Sequence, residues 1–542
     1  MATITDEILL CFICLISFFF IQSLLKRKAK LRSDFKRPPS PPALPIIGHL
    51  HHLSPVIHQS FHRLAQLYGP LMRLHIGTST MIVVSSASSA RDILKIHESL
   101  FSSRLTFGME DYNIYEGHSF TTAEYGPYWR FMKRLCMSKL MSASQLDRFM
   151  DVRREEMKKL LESLAKSSKE SAAVDLGAEL TRMTNNVLSR MVMSTRCSDG
   201  YNEAEVCRNL VLKCIEFAGK LSMADILDTF IKKFDLFGHG RKLVKSMEQF
   251  DKFVESIMEI HEERMKSSAG DTKDMMDILL EVHHDQNSAT KLTRKGIKNF
   301  VLVSTFLYPP NGIYKSKDDF DKPSLILISI CLFQEMFIAG VETSSKALQW
   351  ATAELISNPI VFDKLREEIV SLVGTTRLVQ ESDIPNLPYL QAVVKEALRL
   401  HAPAPLILRK CTEDCKINGF DILKDTRILV NAYSVMRDPL QWKEPNKFMP
   451  ERFLAGSEEN IGQHPMDMKG LHLHYIPFGS GRRGCPGASL ALNVMHSTLA
   501  TLVQCFDFQV GKEGIDMKAG SGFTTAMKKP LICYPILRFS PI

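Results

Sequence analysis

The feature that most restricts the fold of this chain is a glycine-rich stretch near the C-terminal end, residues 478–487 (FGSGRRGCPG). It contains one cysteine, which lies between a glycine and a proline. Residues 488–496 follow as a run of helix formers with apolar spacing, which predicts a loop that leads into a helix. Backbone N–H groups and the positive helix end would hold the sulfur of Cys485 as a thiolate. The glycines let a flat partner approach the backbone closely. The stretch predicts a metal-binding thiolate, and a buried structural cysteine beside an anion-binding loop is the alternative.

Read as F-x-x-G-x-R-x-C-x-G, this stretch resembles the haem-thiolate signature of the cytochrome P450 family. The resemblance implies that Cys485 is the axial ligand of the iron of haem b. It also implies that Phe478 packs beside the sulfur and that Gly487 lets the backbone approach the macrocycle. Arg483 would pair with a haem propionate.

Periodicity along the body of the chain predicts mostly helices around a small sheet. Strands are predicted at 71–76 and 80–85, where β-branched residues alternate around Gly77. Helices are predicted at 61–68, 146–165, 178–193, 204–221, 241–266 and 337–355. The fold class is therefore mainly α with small β-sheets, and the resemblance makes it the cytochrome P450 fold, in a single large domain at 49–542.

The N-terminal residues predict a membrane anchor. Residues 8–25 form an apolar run that is barely long enough to span a bilayer, with two acidic residues before it and a basic cluster after it. This order indicates an uncleaved signal-anchor helix at 1–25, followed at 26–48 by a basic stop-transfer segment and a proline-rich hinge. The resemblance to microsomal members implies a single pass through the endoplasmic reticulum membrane, with the catalytic domain in the cytosol. A buried core helix is the alternative.

Charge and cysteine usage argue against two other classes of protein. The formal net charge is +8, and half of it lies in the first 37 residues, so nothing favours nucleic-acid binding. The twelve cysteines have irregular spacings without C-x-x-C pairs, which indicates a reducing compartment rather than a secreted disulfide framework.

A second motif, residues 125–134 (YGPYWRFMKR), predicts a helix with Trp129 and Lys133 four residues apart on one face. An indole N–H and an ammonium so placed could both donate to one haem propionate. Family members usually carry arginine where Lys133 stands, and lysine lacks the bidentate fork, so Arg134 competes for this role. An aromatic anchor with surface cations is the alternative.

Residues 339–344 (AGVETS) lie inside the predicted helix 337–355 and match the oxygen-activation motif of the resembled family. Gly340 would leave room for an oxygen molecule over the iron. Glu342 and Thr343 would place an acid and an alcohol beside it, a pair that can relay protons. A glycine that serves helix packing is the alternative.

An E-x-x-R pattern, Glu396 and Arg399, is followed by Arg452 in a P-E-R-F segment. In the resembled family, such residues form an interior charged triad that locks the loop carrying the cysteine. A buried triad is costly to desolvate and costlier to break. We therefore predict that Glu396→Ala or Arg399→Ala yields protein without haem.

Residues 303–334 do not fit the long continuous helix that the resemblance implies, because Pro309, Pro310 and Gly312 interrupt it. Removing this segment joins residues 299–302 to 335–340 in an unbroken apolar period. Its ends are compatible with splice-site codons. The hypothesis is a retained intron translated in frame, and a genuine loop is the alternative.

The resemblance is closest to plant microsomal members in a branch near the flavonoid-oxidising group. It implies a haem-thiolate monooxygenase that oxidises a lipophilic plant specialised metabolite with O2 and electrons from NADPH. The electrons would pass through the flavins of NADPH-cytochrome P450 reductase, docked at the basic face near Arg482 and Arg483. A friedelin-type triterpenoid is the preferred substrate, and flavonoid, isoflavonoid or strigolactone oxidation is the alternative.

Four residues would line the substrate site by resemblance: Ala339, Leu406, Phe523 and Thr524. Two other classes of protein stay open. One is a haem-thiolate isomerase or dehydratase, which the Glu342–Thr343 pair disfavours. The other is a haem-binding product inactivated by the segment at 303–334.

Overall fold

The computed structural model describes residues 35–45, 47–77, 79–104, 120, 123–194, 196, 238–267, 273–285, 292–304, 340–456, 473–520 and 524–539. The predicted anchor at 1–25, the helix predicted at 204–221 and all but the first two residues of the segment at 303–334 lie outside these ranges. Within them, no helix is both long enough and apolar enough to cross a bilayer.

Helices carry most of the described chain. Three of them begin with a proline, whose missing N–H costs no hydrogen bond at that position. In chain order the helices are α1 (Ile57–Tyr68), α2 (Ala87–Arg91), α3 (Pro127–Leu135), α4 (Ala143–Arg148), α5 (Met150–Lys169), α6 (Leu176–Met193), α7 (His239–Lys266), α8 (Met275–His284), α9 (Arg294–Ser304), α10 (Glu342–Ser357), α11 (Pro359–Val373), α12 (Pro388–Leu400), α13 (Ala432–Val435) and α14 (Ala488–Cys505).

The strands are short and form small sheets. They are β1 (Leu71–Ile76), β2 (Ser79–Val84), β3 (Val174–Asp175), β4 (Leu406–Lys410), β5 (Cys415–Ile417), β6 (Phe420–Ile422), β7 (Arg427–Asn431), β8 (Phe506–Gln509) and β9 (Ile532–Leu537). One sheet has the order β1-β2-β7-β4, a second has the order β3-β9-β8, and β5 pairs with β6. In the first sheet, β2 and β7 are parallel, with Val84 opposite Val430, and the other pairs are antiparallel. The prediction of a mainly helical fold with small sheets is confirmed.

Two long helices, α10 and α14, form the centre of the core. Every residue of α10 from Ser344 to Leu355 is buried, which is the pattern of a helix covered on all sides. α10 packs against α6, α12 and α14. The N-terminal ends of α10 and α14 reach the same cavity, because Thr343 and Leu490 both line it.

Most predicted elements differ little from the observed ones. β1 has the predicted bounds, and α6 and α7 end at the predicted residues, Met193 and Lys266. The predicted helix 337–355 differs at the site: α10 begins at Glu342, and Gly340 and Val341 form a turn before it. The prediction was wrong at these two residues, where glycine is a poor helix former.

Candidate functional site

The described residues enclose a cavity of about 380 Å³ between the start of α10, the loop before α14, α3 and β4. Its wall is mostly apolar, and its cations lie near the cysteine loop or on β4. Lining residues include Phe120, Leu140, Met141, Val187, Leu188, Met275, Leu279, Val301, Ala347, Leu398, Leu406, Ile407, Leu408, Phe478, Leu490 and Val494.

The cysteine loop is closed by backbone hydrogen bonds. The Cys485 N–H donates to the Phe478 carbonyl at 3.0 Å, and the Gly484 N–H donates to the Gly481 carbonyl at 2.9 Å. Both Cys485 and Phe478 line the cavity. The loop therefore presents the sulfur-bearing residue to the cavity from a fixed backbone.

The Cys485 side chain is open to the cavity and otherwise surrounded by protein. Burial raises the pKa of its thiol, whereas a hydrogen bond from the Gly487 N–H and the positive charge of Lys133 act in the opposite direction. These two groups favour the thiolate, which is the form that binds metals.

Gly481 allows the loop to approach a neighbouring turn. Its φ is +68°, and an added Cβ would lie 2.3 Å from Oε1 of Glu98. The same oxygen accepts the Arg482 N–H. A side chain at Gly481 would therefore displace the carboxylate that holds this turn.

Trp129 and Lys133, predicted to lie on one face of a helix, both line the cavity from α3. Lys133 Nζ donates to the Gly484 carbonyl at 2.7 Å. Burial lowers the pKa of Lys133, while Cys485 raises it. The ammonium of Lys133 thus contacts the cysteine loop itself.

Arg483 is buried beside Trp129, with its guanidinium carbon 4.3 Å from the centre of the indole ring. Its Nε donates to the Ser102 carbonyl at 2.8 Å, and Nη2 donates to the Ala123 carbonyl, but Nη1 has no hydrogen-bond partner among the described residues. Burial and the charge of Arg104 lower the pKa of Arg483 to about 9.

Because Arg483 is only 9% exposed, it does not belong to an exposed basic face. Of the two arginines that mark the predicted docking face, Arg482 is the exposed one. The physical reason is the direction of the Arg483 side chain, which points inward onto Trp129.

Two further arginines at the cavity were missed by the sequence reasoning. Arg104 and Arg409 line it, and the Nη1 atoms of both donate to the Leu408 carbonyl, at 2.7 and 2.9 Å. Arg409 is 3% exposed in the apolar strand β4. A charged residue within an apolar strand was the available signal, because such a charge needs a buried partner.

The oxygen-activation motif lies at the start of α10. Gly340, Thr343 and Ser344 line the cavity, and Ser344 Oγ donates to the Gly340 carbonyl at 3.2 Å. Glu342 accepts a hydrogen bond from Thr524 Oγ1 at 3.3 Å. Burial raises the pKa of Glu342, and Lys346 and Thr524 lower it less strongly.

Of the four predicted substrate-lining residues, Leu406 and Thr524 line the cavity. Ala339 and Phe523 lie outside the described residues.

The structure brings the predicted triad together away from the cavity. Arg399 Nε and Nη2 donate to the two oxygens of Glu396 at 2.8 and 2.9 Å. Arg452 Nε donates to Glu396 Oε1 at 3.0 Å, and the Met449 N–H donates to the same oxygen at 2.9 Å. Arg399 and Glu396 are fully buried.

The residues present fit the haem that the resemblance implies. Cys485 is open to the cavity, and a Cβ added at Gly487, which also lines it, would meet no protein atom within 4 Å. The unpartnered Nη1 of buried Arg483 can bind an anion such as a propionate. A flat cofactor with a metal at its centre and carboxylates at its edge satisfies these three features together.

Comparisons with known proteins match almost the whole chain to one family. The Cytochrome P450 family model matches residues 38–306 and 321–534. Similar curated proteins include 3,9-dihydroxypterocarpan 6A-monooxygenase of Glycine max, 40% identical over 545 residues that cover 98% of this chain and 98% of that protein. Cytochrome P450 705A5 of Arabidopsis thaliana is 39% identical over 533 residues, 97% of each chain. Beta-amyrin 24-hydroxylase of Glycine max is 37% identical over 557 residues, which cover 100% of this chain and 99% of that one.

These matches and the cavity with its open cysteine lead to one conclusion: the chain belongs to the cytochrome P450 family, as a plant haem monooxygenase that receives electrons from NADPH through a reductase.

Proposed function

We propose that this monooxygenase oxidises a triterpenoid, with a friedelin-type skeleton as the preferred substrate. The net reaction takes a C–H bond, O2, NADPH and a proton to an alcohol, water and NADP+. The observation that carries the proposal is the apolar wall of the cavity, which suits a large hydrocarbon skeleton.

Three hydroxyl groups on this wall support the same substrate class. Thr184 Oγ1 donates to the Leu180 carbonyl at 3.0 Å, and Ser344 Oγ donates to the Gly340 carbonyl at 3.2 Å. Thr524 Oγ1 donates to Glu342. These hydroxyl groups already use their protons, so a substrate with few polar groups leaves none of them without a partner.

We assign the haem contacts as follows. Cys485 binds the iron, Phe478 packs beside its sulfur, and Gly487 leaves room for the macrocycle. Trp129 and Arg483 hold a propionate. Lys133 stabilises the cysteine thiolate and its loop in addition to its predicted role toward a propionate, since it contacts the Gly484 carbonyl.

The haem, when bound, supplies the reductive activation of O2. The chain contributes space and protons from the start of α10. Gly340 lines the cavity without a side chain that could fill it. Glu342, whose pKa is raised by burial, and Thr343, which lines the cavity, supply and relay protons.

Oxidation of an isoflavonoid-derived substrate is the second candidate. A relative named 3,9-dihydroxypterocarpan 6A-monooxygenase is 40% identical to this chain, slightly more than the relative named beta-amyrin 24-hydroxylase. Hydroxylated pterocarpans carry phenolic groups that need polar partners in the cavity. The engaged hydroxyl groups described above favour the triterpenoid.

The proposal includes the cellular setting. Residues 1–25 anchor the chain in the endoplasmic reticulum membrane, and the hinge at 26–48 leads to a cytosolic catalytic domain. The reductase docks on the face that carries Arg482, whose side chain is 44% exposed. The charge order around the apolar run at 8–25 supports this orientation.

We also propose that residues 303–334 are absent from the working enzyme. The family match is interrupted at residues 307–320, inside this segment, which supports an insertion. If the segment is present and tolerated, the chain with it and the chain without it should give the same spectrum.

The test is expression of both forms in microsomes with a plant reductase. Each form is scored by the carbon monoxide difference spectrum and by NADPH-dependent products from friedelin, beta-amyrin and 3,9-dihydroxypterocarpan. We expect a thiolate-type band and a triterpenoid with one added oxygen from the form lacking 303–334, and neither from its Cys485→Ser variant. Turnover of the pterocarpan alone would favour the second candidate, and a thiolate-type band in Cys485→Ser would contradict the ligand assignment.

A further inference from the structure

We propose that Thr524 positions the carboxyl group of Glu342 and passes the proton of that carboxyl group to the cavity. This inference rests on the proposed function, in which Glu342 supplies protons. The sequence reasoning gave Thr524 only a place in the substrate wall, whereas the structure gives its hydroxyl group a specific carboxyl partner.

The hydroxyl group of Thr524 joins the carboxyl group to the cavity. Thr524 lines the cavity and is 4% exposed, and its Oγ1 lies 3.3 Å from Glu342 Oε1. A threonine hydroxyl can accept one proton while it donates another. A proton can therefore pass from the Glu342 carboxyl to Thr524 Oγ1 while the original hydroxyl proton passes to a water molecule in the cavity. Glu342 then ends as a carboxylate, and Thr524 ends as it began.

Two hydroxyl groups of α10 that lie near Glu342 in sequence do not bind its carboxyl group. Ser344 Oγ donates to the Gly340 carbonyl, and Ser345 Oγ donates to the Glu342 carbonyl rather than to its side chain. Thr524 comes instead from the segment that follows β8, and it meets the carboxyl group across a long sequence separation.

The turn that holds Thr524 is fixed against α10 by its next residue. Thr525 N–H donates to the Pro403 carbonyl at 2.9 Å, and Thr525 Oγ1 donates to the Ala402 carbonyl at 2.8 Å. Trp350 Nε1 of α10 donates to the Thr525 carbonyl at 2.7 Å. Trp350 stacks on His401 at 4.0 Å. The position of Thr524 relative to the helix of Glu342 is thus set by buried contacts on both sides.

The surroundings of Glu342 favour the protonated form of its carboxyl group. Burial raises the pKa of its carboxyl group, and Lys346, one turn later in α10, and the Thr524 hydroxyl lower it. Removing the Thr524 hydroxyl therefore removes one of the two groups that favour the carboxylate. The pKa of Glu342 should then rise further.

The experiment uses the haem-loaded enzyme with Thr524→Val, Thr524→Ala and Thr524→Ser. The matched control is Thr352→Val. Thr352 is a buried threonine of α10, the helix that carries Glu342, and its Oγ1 donates to the Leu348 carbonyl at 2.9 Å. Infrared pH titration of the resting enzyme follows the protonated carboxyl band, which Glu342→Gln identifies by its loss. Hydrogen peroxide released per NADPH consumed is measured with reductase.

We expect Thr524→Val and Thr524→Ala to move the titration midpoint to higher pH and to raise peroxide release several-fold. Thr524→Ser and Thr352→Val should behave as the parent enzyme. An unchanged midpoint, unchanged peroxide release, or equal effects in Thr352→Val would each overturn the proposal. If the proposed monooxygenase function is wrong, the parent enzyme will show no thiolate-type band. The infrared titration midpoints of that protein would still test whether the Thr524 hydroxyl binds the Glu342 carboxyl group.

Discussion

Two buried arginines in this molecule have the same side chain and opposite surroundings. Arg399 in α12 donates to both oxygens of Glu396 at 2.8 and 2.9 Å, and to the carbonyl oxygens of Met436 and Pro445 at 2.9 and 2.7 Å. Arg483 has carbonyl partners for two of its nitrogens, and among the described residues it has none for Nη1. The largest charge effect on Arg483 comes from Arg104, another cation.

The difference indicates that Arg399 stabilises the fold, whereas Arg483 binds a ligand. A buried charge is costly unless it is paired and hydrogen-bonded. Arg399 has its counter-ion within the protein, so the triad is complete without a ligand. Arg483 has no counter-ion among the described residues, and an anion that enters the cavity would supply it. The next two predictions, each with a control variant, test this distinction.

The largest effect is expected from Glu396→Ala. The variant leaves Arg399 and Arg452 buried without their shared carboxylate, which costs about 3–5 kcal/mol. We expect a protein that retains little haem and shows no thiolate band in the carbon monoxide difference spectrum. Haem content per polypeptide and the apparent Tm measure the loss.

Glu451→Ala is the control for this variant. Glu451 is 46% exposed, pairs with Lys364 at 2.8 Å and accepts a hydrogen bond from the Tyr389 hydroxyl at 2.9 Å. Its removal should cost about 1–2 kcal/mol, less than the loss of Glu396, and leave haem content unchanged. Parental haem content and Tm in Glu396→Ala would show that the triad does not hold the fold around the cofactor.

Arg483→Met should have its main effect on haem binding. The cofactor-free protein should change little in stability, because Arg483 has no counter-ion among the described residues and the loss of its buried charge offsets two lost hydrogen bonds. The haem-loaded protein loses a charge-assisted bond worth about 1.5–3 kcal/mol, which corresponds to roughly 10- to 100-fold faster haem loss. Transfer of haem to an excess of apomyoglobin measures the rate.

Arg482→Met tests whether position rather than charge matters. Its side chain is exposed, and its backbone N–H keeps the bond to Glu98. Haem loss should equal that of the parent enzyme. If Arg483→Met instead destabilises the cofactor-free protein as severely as Glu396→Ala does, then Arg483 stabilises the fold as Arg399 does. The distinction between a structural and a ligand-binding arginine would then be wrong.

Local patterns were enough to predict much of the fold and the cysteine loop. Alternation in β1 and apolar periodicity in α6 and α7 depend on neighbours within one element, so their ends could be read from the sequence. The cysteine, the glycines and the following helix all lie within residues 478–505, and they form the loop that their order indicates.

Contacts across the fold could not be read in this way. The contact of Lys133 with Gly484, the inward direction of Arg483 and the hydrogen bond from Thr524 to Glu342 each join distant segments. Periodicity assigns a face to each residue but no partner. Arg409 was missed for the same reason, although its charge within an apolar strand was a signal.

The smallest effect is expected at a third buried cluster, which has its counter-ion and can also titrate. His261 of α7 lies 2.8 Å from Asp274, and Ser194 Oγ donates to the same carboxylate oxygen at 2.6 Å. Burial lowers the pKa of His261, but Asp274 and Asp277 outweigh it, so the pKa is raised. Burial and the charge of Asp274 also raise the pKa of Asp277, while Arg264 lowers it.

Both raised pKa values mean that the folded protein binds protons more tightly than the unfolded chain. The stability contributed by His261 is therefore full below about pH 6.5 and is lost as the pH rises through its folded pKa. We expect the apparent Tm to fall over this range, by the equivalent of about 1 kcal/mol. His261→Gln, which keeps a donor but cannot titrate, should flatten the dependence, whereas His284→Gln at an exposed position should not. An unchanged slope in His261→Gln would show that this cluster, like the triad, serves the fold without responding to pH.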